Sequence, residues 1–206
     1  MPFVKRDAGP PQTPAGEPEP GLAIGAIDSP DAQLRWNAVR ALGSRPEAVP
    51  TLAAALVTEQ VARVREAIMT ALMRIGDSAS VAALLPELRS PDAGRRGAAI
   101  EVLQALPDAV APFVTVLLGD SDTDVRILAV ELVRGMPDEK ATALLCSLLE
   151  VEPHPNVCAA AVDVLAEVGT RAALPALHAC ARRFATVPFL PFAIATAIAR
   201  VSDAEG

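Results

Sequence analysis

The sequence predicts an all-α fold, an α-solenoid of about six stacked helix pairs with right-handed superhelical curvature. Three observations carry that reading. The first is a recurring phrase. With Arg126 of "VRILAVELV" set at position zero, "LRWNAVRAL" aligns on Arg35, "VREAIMTAL" on Arg65, "RRGAAIEVL" on Arg96, "VCAAAVDVL" on Cys158 and "LPFAIATAI" on Pro191. The intervals are 30, 31, 30, 32 and 33 residues. The second is the pattern within each phrase, where apolar side chains return at helical spacing and never alternate as a strand requires. The third is a column of aliphatic residues seven positions beyond zero: Leu42, Leu72, Leu103, Val133, Leu165 and Ile198. One pair of about 30 residues cannot bury such a face alone, but stacked copies bury it continuously.

Each phrase follows a second apolar segment: "AVPTLAAAL" at 48–56, "SVAALLPEL" at 80–88, "VAPFVTVLL" at 110–118, "ATALLCSLL" at 141–149 and "ALPALHACA" at 173–181, with a shortened "GLAIGAI" at 21–27. Pro50, Pro112 and Pro175 are expected in first turns, where a missing N–H leaves no acceptor unpaired. Ser29, Ser90 and Asp120, each with its neighbouring Asp, predict N-caps for the helices that follow. Gly43, Gly76, Gly135 and Gly169 stand where those helices should stop. Residues 1–20 contain six Pro and two Gly and read as a disordered, Pro-rich, solvated tail rather than a docking motif around Phe3–Arg6. Residues 21–206 read as one repeat domain.

Composition bounds the function. Apolar residues make up 51% of the chain and aromatics 3%; the 41 Ala give a thin, aliphatic core suited to close helices. A net charge of −7 argues against a nucleic-acid partner, which needs clustered Lys and Arg. Three Cys in helical stretches point to a reducing compartment. The N-terminus lacks the apolar core of a signal peptide, and no stretch is long enough to span a membrane, so the expected location is cytoplasmic.

The phrase Asp–x–Asp–x–Val–Arg–x–x–Ala, carried by Asp120, Asp122, Val125, Arg126 and Ala129, resembles the HEAT-like repeat of the phycobilisome-lyase type. Arg35, Arg65 and Arg96 match it in part; Cys158 and Pro191 depart from it. The resemblance covers residues 21–201. It implies that these arginines, with Asp120 and Asp122, form a structural ladder between units, which a guanidinium with five donors suits well. It also implies a second function class, a lyase-like or chaperone-like factor handling a chromophore or cofactor on a target protein.

No catalytic constellation stands out. His154 and Cys158 are four apart, but two ligands do not close a zinc site, and no metal or cofactor is expected. Cys146, Cys158 and Cys180 read as small buried hydrophobes. Five residues after zero come Arg40, Thr70, Glu101, Glu131, Asp163 and Thr196, a polar column inside apolar helices that must face water. Trp36 lies one turn earlier on the same face. Trp36, Arg40, Glu101, Glu131 and Asp163 are therefore the expected partner-binding residues of the concave side, with the acids suited to a basic segment of another protein. Toward the C-terminus, Phe184, Phe189 and Phe192 sit in a run from Ala185 to Ala199 that has no charge, which predicts a homodimer or partner interface. The expected function is a non-enzymatic protein–protein interaction scaffold or regulator, with the lyase-like or chaperone-like role as the alternative.

Overall fold

The repeating turn explains the architecture. The computed structural model describes residues 25–203; the tail at 1–20 and most of the "GLAIGAI" segment lie outside them. Asp31 Oδ1 accepts the Gln33 N–H at 2.7 Å, Asp92 Oδ1 the Gly94 N–H at 2.8 Å and Asp122 Oδ1 the Asp124 N–H at 2.9 Å, so each aspartate caps its helix. Two residues earlier a second side chain accepts the aspartate's own N–H: Ser29 and Ser90 at 3.2 Å, Asp120 at 2.9 Å. Glu59 and Glu152 do the same for Val61 and His154, each at 2.8 Å.

From Ala32 onward the described residues form eleven α-helices: α1 Ala32–Leu42, α2 Val49–Thr58, α3 Ala62–Ile75, α4 Ser78–Leu84, α5 Ala93–Gln104, α6 Pro107–Leu118, α7 Thr123–Val133, α8 Asp138–Val151, α9 Pro155–Val168, α10 Leu174–Arg183 and α11 Leu190–Asp203. No strand occurs among the described residues. The odd-numbered helices pack in succession into one layer, and α2, α6, α8 and α10 each pack on the odd helix that follows. Leu42, Leu72, Leu103, Val133 and Leu165 are fully buried between the layers, and Ile198 partly so. The aliphatic column is thus the shared core.

Two prolines act differently from expectation. Pro112 lies inside α6, not in its first turn, because the helix starts at Pro107. The segment at 80–88 is not one helix: α4 stops at Leu84 and a 3₁₀ stretch, Leu85–Arg89, takes over around Pro86. A proline there has no N–H for the carbonyl four residues back, and its ring crowds that carbonyl. Pro50 and Pro175 do sit in first turns. Gly76 ends α3 with φ of 65°, a left-handed conformation that needs glycine.

The arginines bind the units together. Arg126 donates from Nη1 to the Asp120 carbonyl at 2.8 Å, and from Nε and Nη2 to Glu152 at 2.8 and 3.0 Å. Arg35 repeats this with the Ser29 carbonyl at 2.8 Å and Glu59 at 2.7 and 2.9 Å. Each guanidinium therefore ties its own turn to the next unit's turn. Arg96 reaches only its own turn, the Ser90 carbonyl at 2.6 Å; its neighbour Arg95 pairs at 2.7 Å with Glu87, eight residues back in the same unit. Asp120 pairs with Arg89. Arg65 makes no hydrogen bond or ion pair among the described residues, and the next turn offers it Ser90 at the position that Glu59 and Glu152 hold elsewhere.

Where Cys158 replaces arginine, the guanidinium comes from the other side. Arg183 Nη2 donates to the carbonyls of Leu149 at 2.6 Å and Glu152 at 2.9 Å, and lies 3.7 Å from Cys158 Sγ. Glu152 stands six residues before Cys158, the same offset as Asp120 from Arg126.

Removing Arg126 strands the buried Glu152 carboxylate, so Arg126→Ala should cost about 2 kcal/mol, read as a melting temperature lower by roughly 4–8 °C. Arg65→Ala, with no carboxylate to strand, should stay within about 0.5 kcal/mol of the parent. Equal losses in thermal melts of the two variants would refute the ladder.

Glu59 supplies a pH dependence. The Arg35 guanidinium hydrogen-bonded to it holds its carboxyl below the ordinary glutamate range, against the opposing pull of burial. The unfolded chain then takes up the proton first as pH falls, so this stabilisation is present above the ordinary range and lost on acidification. Glu59→Gln should be less stable at neutral pH, and its melting temperature should fall less steeply than the parent's between about pH 5 and pH 3. Parallel pH profiles of the two proteins would contradict this.

Candidate functional site

The odd-numbered helices present the polar column. Arg40, Thr70, Glu101, Asp163 and Thr196 are exposed and Glu131 is half-buried. At the N-terminal end of this face, α1 and α3 enclose a cleft of about 310 Å³. Trp36 and Arg40 meet there, with the Arg40 guanidinium 4.7 Å from the indole centroid. Arg63 from α3 lies over the same ring at 4.6 Å. Glu66, Thr70 and Arg74 complete the lining. Arg63 and Arg74 were not among the expected residues. Their spacing marks them: 63, 66, 70 and 74 form one stripe of a helix, directly across from Trp36 and Arg40.

The acidic row is only partly assembled. Arg134 donates to Glu131 at 3.2 Å, to Asp163 at 3.2 Å and to Glu167. Glu131 and Asp163 are thus joined through a cation, while Glu101 stands apart on α5. These three carboxylates raise the Arg134 pKa further above its ordinary range, Glu167 most strongly. A basic partner segment would meet less free charge here than the row of acids suggests.

At the C-terminal end, α11 buries Leu190, Ile194, Ala197 and Val201, one stripe facing α9 and α10. Phe184 is half-buried under the Arg183 guanidinium, 4.8 Å from its ring. Phe189 and Phe192 stay 49% and 79% exposed, so they do not belong to the stripe that the helix buries. Cys158 and Cys180 are fully buried and Cys146 half-buried. His154 does not face a metal: its Nδ1 accepts the Asn156 N–H at 3.3 Å and caps α9, while the Cys158 thiol points to the Glu152 carbonyl. No group of three or more His, Cys, Asp or Glu among the described residues is arranged to hold a metal ion. None of the described helices is long and apolar enough to cross a membrane.

Residues 19–104 and 110–185 match a family model described as HEAT repeats. The chain belongs to this family. An archaeal HEAT-like repeats protein from Thermococcus onnurineus shares the fold, with a TM-score of 0.53 at 18% identity over 89% of this chain and 87% of that one. Among curated proteins this HEAT-repeat chain is similar to the bilin biosynthesis protein PecE of Nostoc sp., 44% identical over 82 residues, which are 39% of this chain and 32% of PecE. PecE of Mastigocladus laminosus is 43% identical over 82 residues, 39% of this chain and 30% of that protein. The chain thus matches the curated relatives over about a third of their length. The likeness agrees with the phycobilisome-lyase resemblance carried by Asp120, Asp122, Val125, Arg126 and Ala129.

Proposed function

We propose that this chain is a lyase-like or chaperone-like factor that handles a bilin-type chromophore on a target protein. The similarity to bilin biosynthesis proteins, 44% identity over 82 residues, carries this reading. It narrows the scaffold expectation by giving the surface a cargo. An open-chain pigment is flexible, and a protein that holds it in one conformer removes that freedom before the pigment meets its acceptor. A solenoid suits the task, because its face is built from helices whose positions the ladder fixes. The direct test gives a purified apo-biliprotein subunit free bilin with and without this chain. Covalently attached pigment is then read by zinc-enhanced fluorescence on a denaturing gel. A higher yield, or a product spectrum closer to that of the natural adduct, is expected. Identical yield and spectrum in both arms would end the proposal.

The C-terminal end supplies the contact with another protein. Phe192 stands exposed on α11, whose other stripe is buried, and Phe189 stands exposed in the bend just before it; exposed aromatics grouped at one end of a protein are a common feature of interfaces. The occupant is either the target protein or a second copy of the chain. Sedimentation should show the parent associating, with itself or with the biliprotein subunit, and the Phe189→Glu, Phe192→Glu variant failing to associate. A parent that stays monomeric alone and binds the subunit no better than the variant would rule this contact out.

A further inference from the structure

The cleft between α1 and α3 is charged against the trend of the molecule. The chain carries a net charge of −7, yet Arg40, Arg63 and Arg74 line this cleft with one carboxylate, Glu66. None of the three guanidiniums makes an ion pair among the described residues, whereas Arg35, Arg95, Arg126 and Arg134 are all paired. Arg63 has a single neutral acceptor, Gln33 Oε1 at 2.6 Å. The Trp36 ring accounts for the placement of two of them. A guanidinium lying over an aromatic face is held through its flat side, and its N–H donors, which point outward in its own plane, stay free. Arg40 and Arg63 therefore lie over the ring with, among the described residues, no hydrogen-bond acceptor for Arg40 and one for Arg63. In an otherwise acidic protein, that arrangement lacks an anion.

We propose that this cleft binds a carboxylate side arm of a planar, conjugated organic acid; the choice of a bilin-type acid rests on the chromophore reading above. Size and lining decide the class. About 310 Å³ lies at the lower limit of small-molecule sites and holds one ring with its acid arm, not a whole linear tetrapyrrole. Ala67, partly exposed in the cleft, gives the ring a small apolar wall. Glu66 disfavours a bare inorganic anion and suits a ligand that brings an N–H donor beside its acid group. The remainder of the pigment would extend along the polar column, out of the cleft.

Trp36 is the only tryptophan in the chain, so its indole N–H resonance reports the cleft directly. The probes are biliverdin, a linear tetrapyrrole dicarboxylate, and its dimethyl ester, titrated against the full chain with pigment absorbance and the Trp36 signal read together. Biliverdin should shift the Trp36 resonance. The ester should bind about tenfold more weakly, the scale of a charge-assisted hydrogen bond. Added salt should weaken the acid and leave the ester nearly unaffected. The Arg40→Gln, Arg63→Gln variant, whose altered side chains are exposed and whose melting temperature should match the parent's, should lose about tenfold for the acid and little for the ester. Pigment that binds without moving Trp36, or acid and ester that bind alike, would overturn the cleft and leave the chromophore reading standing. A parent that binds neither pigment would overturn both.

Discussion

A guanidinium placed across a turn, donating at once to a carbonyl of its own unit and a carboxylate of the next, is the interaction on which the rest of this solenoid depends. A turn between antiparallel helices leaves carbonyls and amides that neither helix can satisfy. Stacking unit on unit buries those turns, so they need partners within the protein. Arg126 and Glu152 serve both sides: the arginine takes the Asp120 carbonyl, and the glutamate takes the His154 amide. Their bidentate contact then fixes the rotation of one unit against the next. Hydrophobic packing alone would leave that rotation loose, because Ala- and Leu-rich helices slide over one another at little cost.

The units that break the pattern show that the constraint lies at the turn and not in the residue. Arg96 keeps the carbonyl but not the next turn's acid: Asp120 pairs with Arg89, and Arg95 pairs with Glu87 within its own unit. Cys158 keeps only a weak thiol contact to the Glu152 carbonyl, and Arg183 approaches from the following helix to serve the same carbonyl. Arg65 lacks an acid partner among the described residues, and Ser90 occupies the next turn's position. The turn carbonyl is thus served by the repeat arginine at three turns and by Cys158 with Arg183 at a fourth, whereas the bridge to the next turn's carboxylate is complete, among the described residues, only at Arg35 and Arg126.

That difference marks how much could be read in advance. The helix pairs, the caps at Asp31, Asp92 and Asp122, and the core column from Leu42 to Leu165 were legible, because each follows from periodicity or from a local hydrogen bond. The acid partners Glu59 and Glu152 were not, since they lie 24 and 26 residues from their arginines and no local rule links them. Pro112 was misplaced because "VAPFVTVLL" offers no cap, while the helix starts three residues earlier at Pro107. On the functional face, Trp36 and Arg40 were found through the repeat. Arg63 and Arg74 were missed because they fall outside the compared positions, although their helical stripe was visible. Pairing of Glu131 and Asp163 through Arg134 depends on tertiary proximity, which a column of aligned acids cannot reveal.

The distribution of unmet interactions gives the molecule a direction. In the middle the charges are spent on one another: Arg126 with Glu152, Arg95 with Glu87, Arg134 with its three acids. At the N-terminal end the three cations of the α1–α3 cleft share one carboxylate, Glu66, and make no ion pair among the described residues, and at the C-terminal end Phe189 and Phe192 lack cover. A buried ion pair contributes little once its desolvation is counted, but it sets geometry. Free guanidiniums and free aromatics contribute when something arrives. The ladder therefore fixes how each unit turns against the next, and the α1–α3 cleft and the exposed phenylalanines stand at opposite ends of the stack that it holds.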